Sequence, residues 1–150
     1  MPEISESFYA ALKARLAGDA GLSAWATTQF GKAITFLDGA ESGPVRDSDY
    51  PVVVLDLEDA DQEDLLLGSD STRISATILG LIAWLEEDGS KVLTERLQVH
   101  DLLRKALLLD ASFENTVNFA RLAALDRADT QKPIVAMTFS VRAEYDVEAT

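Results

Sequence analysis

Seven carboxylates fall among the first fifteen residues of the stretch Asp56 to Ser75, DLEDADQEDLLLGSDSTRIS. Oxygen ligands this dense suit a hard cation such as calcium or magnesium, and close carboxylate pairs suit acid–base work. The same density on a hairpin keeps an exposed sheet edge from pairing with another chain. DADQED lacks the glycine and the closing bidentate glutamate of a calcium loop, and side chains alternating along a strand point to opposite faces. A solvated acidic hairpin is therefore expected, with no metal. His100 is the only histidine. Its neighbours one helical turn away, Arg96 and Arg104, repel a cation, so it reads as a partly buried helix histidine. With no cysteine, no GxSxG elbow, no P-loop and no GxGxxG, neither a nucleophile nor a phosphate cradle stands out. An enzyme is not expected, nor a cofactor. One built here would rely on carboxylates, lysine or tyrosine in a cleft between a sheet and the Val92 to Leu109 helix.

Charge narrows the partners. Against 26 acidic side chains there are 13 basic ones, a formal net charge of −13, which repels phosphates and anionic membrane surfaces at long range. The basic residues are scattered singly, so no surface tracks a nucleic-acid backbone. MPEISESFYAALKARL has acidic residues where a signal peptide carries basic ones. Ile74 to Leu85, the longest mostly apolar run, is too short to cross a bilayer. A soluble protein of one domain spanning 1–150 follows, with the cytoplasm as the default compartment.

The elements that must position these residues follow from periodicity. Ile4, Phe8, Leu12 and Leu16 recur every four, with Ala11 beside them, and draw the stripe of an amphipathic helix stopped near Gly18. Asp19 to Gly31 reads as loop with a short turn around Trp25, and Ala33 to Leu37 as a brief strand. PVVVLDL from Pro51 begins a buried strand. From Thr72 to Trp84, Ile74, Ala76, Ile78, Gly80, Ile82 and Trp84 share one face, with Ser75, Thr77, Leu79, Leu81 and Ala83 on the other. The acidic segment between these strands is then the tip of a long antiparallel hairpin. Ser90 is positioned to cap a helix whose stripe is Val92, Leu93, Leu97, Leu103, Ala106 and Leu107. Thr116 to Leu125, with Val117, Phe119 and Leu125 on one face, and Ile134 to Tyr145 complete two more strands. The fold class expected is α+β: a mostly antiparallel sheet, helices packed on one face, and a long acidic hairpin.

Leu65, Leu66 and Leu67 sit at the hairpin tip. Three consecutive leucines beside a turn cannot all face one core, which marks either a contact with another chain or a loop folded back on its own domain.

Four features together resemble the tail terminator, or tail completion, proteins of long-tailed bacteriophages and prophages. They are the amphipathic helix ending near Gly18, the segment TFLDGAESGPVRDSDYPVVVL with Tyr50 and Pro51 leading into a buried strand, the long hairpin with its acidic tip, and the strands around a central helix that finish in SVRAEYDV. The resemblance covers nearly the whole chain and is one of order and texture. The central helix with its LLRKALLL stretch is long for the family. The resemblance implies a structural virion protein without a cofactor, assembled in the bacterial cytoplasm and located on the virion tail. It implies a ring, as a hexamer on the tail, that pairs with the tail tube protein on one side, stops its polymerisation, and offers the other side to the head–tail connector protein. DNA would pass through the lumen as cargo, and no membrane is involved. On this footing Glu58, Asp59, Asp61, Glu63, Asp64, Leu65, Leu66, Leu67 and Asp70 are the candidate subunit or tube interface. A head–tail joining or minor tail adaptor protein shares the same small design, and fold alone does not separate the two.

Overall fold

Hydrophobic alternation places five strands in one sheet, in a computed structural model that describes residues 4–39, 46–64, 71–107, 119–128, 130 and 133–148. In chain order the elements are α1 (Ile4–Gly18), α2 (Ala20–Phe30), β1 (Thr35–Asp38), β2 (Val52–Asp64), β3 (Ser71–Leu85), α3 (Val92–Leu107), β4 (Phe119–Ala128) and β5 (Ile134–Glu148). Single 3-10 turns at Asp47–Asp49 and Gly89–Lys91 precede β2 and α3. The strand order is β1-β2-β3-β5-β4. Only β1 and β2 run parallel, and the other three pairings are antiparallel. The fold is α+β, as the alternation predicts.

All three helices lie on one face. Phe8, Leu12 and Leu16 from α1, Leu22, Trp25 and Ala26 from α2, and Val99, Leu103 and Ala106 from α3 bury against Val53, Leu55, Ile78, Ile82, Trp84 and Phe139 of the sheet. Trp25 meets Trp84 edge to face at 5.4 Å between ring centroids, and Phe30 meets Trp25 at 5.2 Å. Gly80 makes the middle of this core possible. A Cβ there would collide with the Phe139 ring, which occupies the volume that any larger residue would need. The opposite face carries a smaller buried cluster of Val52, Ala83 and Ala136 with Leu37, Val54, Leu81 and Ile134 around it.

The segment expected as loop after Asp19 is a helix. The Asp19 carboxylate accepts from Leu22 N at 2.9 Å, and Gly31 closes the other end at φ 71 with its N–H on Thr27 O. That left-handed C-cap suits glycine, which has no Cβ to clash. Leu22, Trp25 and Ala26 bury one face, which outweighs the weak helix propensity of Gly21, Ser23, Thr27 and Thr28. Three further expectations change in detail. Ser90 lies inside the 3-10 turn, where its N–H and Oγ both bond the Asp88 carboxylate, so Asp88 is the capping residue. Leu93 and Leu97, assigned to the buried stripe of α3, are 68% and 59% exposed. On β4 a register shift between Leu122 and Ala124 puts Phe119 opposite Glu144 and Leu125 opposite Phe139. The two are thus out of phase rather than on one face, as a bulge requires. Thr116 and Val117 lie outside the described residues.

Candidate interaction surfaces

The long strands exceed the helices in length. β3 and β5 each have 15 residues, and α3 has 16, so the strands extend about 50 Å while the helix extends about 24 Å. On β3 and β5 the described core ends at Ala76 and Ala143. The ladder continues through Ser75↔Glu144 to Ser71↔Glu148, five further pairs, with β2 alongside as far as Asp64↔Thr72. These residues form a three-stranded arm.

The arm gathers the acidic residues in register. A shift between Leu57 and Asp59 leaves Glu58 as the extra residue and moves β2 into a new phase. Asp59, Asp61 and Glu63 then pair with Thr77, Ser75 and Arg73, positions in phase with the sheet face opposite the helices. Through β3, the same rows reach Arg142, Glu144 and Asp146 of β5, so Arg73 and Arg142 stand among the carboxylates. Asp64 falls in the other phase, opposite Thr72. Of the candidate interface residues, Asp61, Glu63 and Asp64 are thus strand positions on the arm, Glu58 and Asp59 lie on β2 before it, alongside the buried Ile78 and Thr77, and Leu65, Leu66, Leu67 and Asp70 lie outside the described residues. The contribution of β5 was missed, although Glu144, Asp146 and Glu148 alternate in the sequence. Nothing local says that β5 borders the hairpin.

A second surface lies on the helical side. Leu93 and Leu97 of α3 face Leu125 of β4 and Met137 of β5 across a groove of about 500 Å³. Arg96, His100 and Arg127 also line it, with Asp126 as the acidic member. Arg96 Nε is buried without a hydrogen-bond partner. His100 is partly exposed, as expected, with its Nδ1 4.0 Å from Asp101. The groove occupies the place between sheet and helix where an enzymatic cleft was considered, and a second cleft of about 470 Å³ lies between α2 and α3 around Trp25, Gln98 and Asp101. Among the described residues no three His, Cys, Asp or Glu side chains are grouped to hold a metal ion.

Two ionisable clusters fasten neighbouring elements, one a helix to the sheet and the other two helices to each other. Tyr9 Oη donates to Asp38 Oδ1 at 2.6 Å and Lys13 Nζ reaches the same oxygen at 2.9 Å, tying α1 to β1. The Tyr9 bond and then the lysine hold the Asp38 carboxyl below its usual range, and burial, then Asp38, raises the Tyr9 phenol. Glu95, in the first turn of α3, is 4% exposed and accepts from Gln29 of α2. Burial, and then the neighbouring Glu86 carboxyl, push its pKa up to about 7, against the opposing pull of Trp84 and Lys91. Both clusters join elements already packed together, which is the work of structural fasteners.

No protein-family model and no curated protein matches the chain. No described helix is long and apolar enough to cross a membrane.

Proposed function

We propose that this protein is a ring-forming structural component of a phage tail, which caps the end of the tail tube and thereby ends its polymerisation. The observation that carries this reading is the acid-rich three-stranded ladder that continues past Ala76 and Ala143, the last described buried residues of β3 and β5 in that direction. A subunit that reaches beyond its own core offers a neighbour a patch different from the one it receives, and such head-to-tail contacts close into a ring where the rotation between subunits divides a full turn. Stacked on the last ring of tube subunits, a closed ring leaves no free site for the next one. The acidic rows suit the inside of such a ring, since a channel lined with carboxylates lets DNA pass without holding its phosphates. Virion tail location and contacts with tube and connector proteins belong to the same proposal.

The test is native mass spectrometry with negative-stain imaging of the full chain across salt concentration, alone and with purified tail tubes. Carboxylate repulsion between subunits predicts rings favoured by raised salt or by the tube end. A particle that stays monomeric in both settings overturns the proposal.

A further inference from the structure

The groove between α3 and β4 holds two leucines in a place where water contact is unfavourable. Leu93 and Leu97 are more than half exposed one helical turn apart, with Leu125 of β4 facing them. At about 500 Å³ the groove is within the range of sites that bury a ligand. Its charge is opposite to that of the molecule as a whole, because Arg96 and Arg127 line it with Asp126 as the acidic exception, in a chain of net charge −13. Arg96 Nε is buried there without an acceptor. An occupant should bring adjacent apolar side chains flanked by carboxylates.

One segment of the chain has that composition. Residues 61–70 read DQEDLLLGSD, three leucines between acidic residues and no basic residue. Its described anchors lie far from the groove of the same copy. Thr72, where the hairpin ladder ends, is ten residues along β3 from Ile82, which pairs with Met137 at the groove. That separation is about 33 Å, and six residues anchored at both ends reach only about 10 Å from their anchors.

We propose that Leu65, Leu66 and Leu67 of one copy seat in the groove between α3 and β4 of the next, with the flanking carboxylates against Arg96 and Arg127. The inference rests on the ring reading and supplies its subunit contact. Groove and hairpin lie at opposite ends of the sheet, so the contact is heterologous and repeats from copy to copy until it closes. Burying apolar side chains supplies affinity, and the charge pairing sets register and favours encounter.

The absence of cysteine from the chain makes disulfide trapping clean. Full-length Leu66→Cys is mixed with full-length Leu97→Cys under mild oxidation in ring-forming salt, with Leu79→Cys on the opposite sheet face as the reference partner. The expected result is a mixed dimer several-fold more abundant with Leu97→Cys than with Leu79→Cys, and a ladder of higher oligomers from the Leu66→Cys/Leu97→Cys double variant. Equal trapping, or a double variant that closes as a monomer, overturns the docking. As a second measurement, Leu93→Ser/Leu97→Ser should keep its melting temperature, because both side chains are exposed, while the ring contact weakens roughly tenfold. Rings of unchanged stability in that variant overturn the docking and leave the ring reading standing. Failure of the unaltered chain to form any ring removes both.

Discussion

The two ends of the sheet solve different problems with the same strands. Around Trp84 and Phe139 the ladder is covered by three helices, and Phe8, Leu12, Ile82, Trp84 and Leu103 retain essentially no exposure. Toward Ser71 and Glu148 the same β3 and β5 continue as STRIS and EYDVE, where Glu144, Asp146 and Glu148 stand with Ser, Thr and Arg73 but also with Ile74, Tyr145 and Val147. Burial of apolar area supplies most of the stability of a fold, so the covered end holds the molecule together and the arm is free to be chosen for contact. Natural sheets keep exposed strands from pairing indiscriminately by charging them. The arm carries that protection in its rows of Asp and Glu.

If this division holds, substitutions at the covered end should unfold the protein and substitutions on the arm should alter association alone. The largest effect is expected for Trp84→Ala, which removes a fully buried ring and its contact with Trp25. A loss of about 3–5 kcal/mol is the usual size for such a deletion, and a urea midpoint shifted by less than that of a surface variant would break the comparison. Gly80→Ala comes next. Its new methyl collides with the Phe139 ring, and overpacking of this kind costs about 1–3 kcal/mol, measurable by the same titration.

Glu95→Gln sharpens the picture through pH. A folded-state pKa of about 7 stands above the ordinary 4.5, so the native state binds the extra proton between those values. Stability contributed by the protonated form is fully present below pH 4.5 and is lost as pH rises through about 7. The glutamine variant should therefore match the parent near pH 4 and exceed it at pH 8 by on the order of 3 kcal/mol. Equal stability at pH 8 would show that Glu95 is not held in a site that disfavours its charge. The smallest effect on folding is expected for Asp59→Asn/Asp61→Asn/Glu63→Gln, within about 0.5 kcal/mol. The same variant should form rings at lower salt than the parent, and an unaltered salt dependence would mean that these positions do not face one another across subunits.

The strands β3 and β5 were legible because their alternation is regular over many residues, from Ile74 to Trp84 and from Val135 to Val141, whereas β2 was legible only over its apolar start and runs on to Asp64 through residues expected as the hairpin tip. So was α1, whose apolar spacing of four survives as Phe8, Leu12 and Leu16 in the core. The helix α2 was not, because Gly21, Ser23 and two threonines hide a pattern that only the packing of Trp25 on Trp84 makes worthwhile. Its two caps, Asp19 and Gly31, were the signal available.

For the candidate surface, the sequence by itself determined the concentration of charge between Asp56 and Asp70 and the three leucines within it, since composition needs no partner to be read. It also determined that β2 and β3 would lie antiparallel, because alternating runs flanking a turn pair locally. Tertiary structure alone decided that β5 joins them and brings Glu144 and Asp146 into the same rows. It alone left Leu93 and Leu97 uncovered beside Arg96, since an amphipathic stripe states how much of a helix is apolar but not how much of it a neighbouring element will reach. Register and coverage come from contacts between residues far apart in the chain, and local pattern carries no record of them.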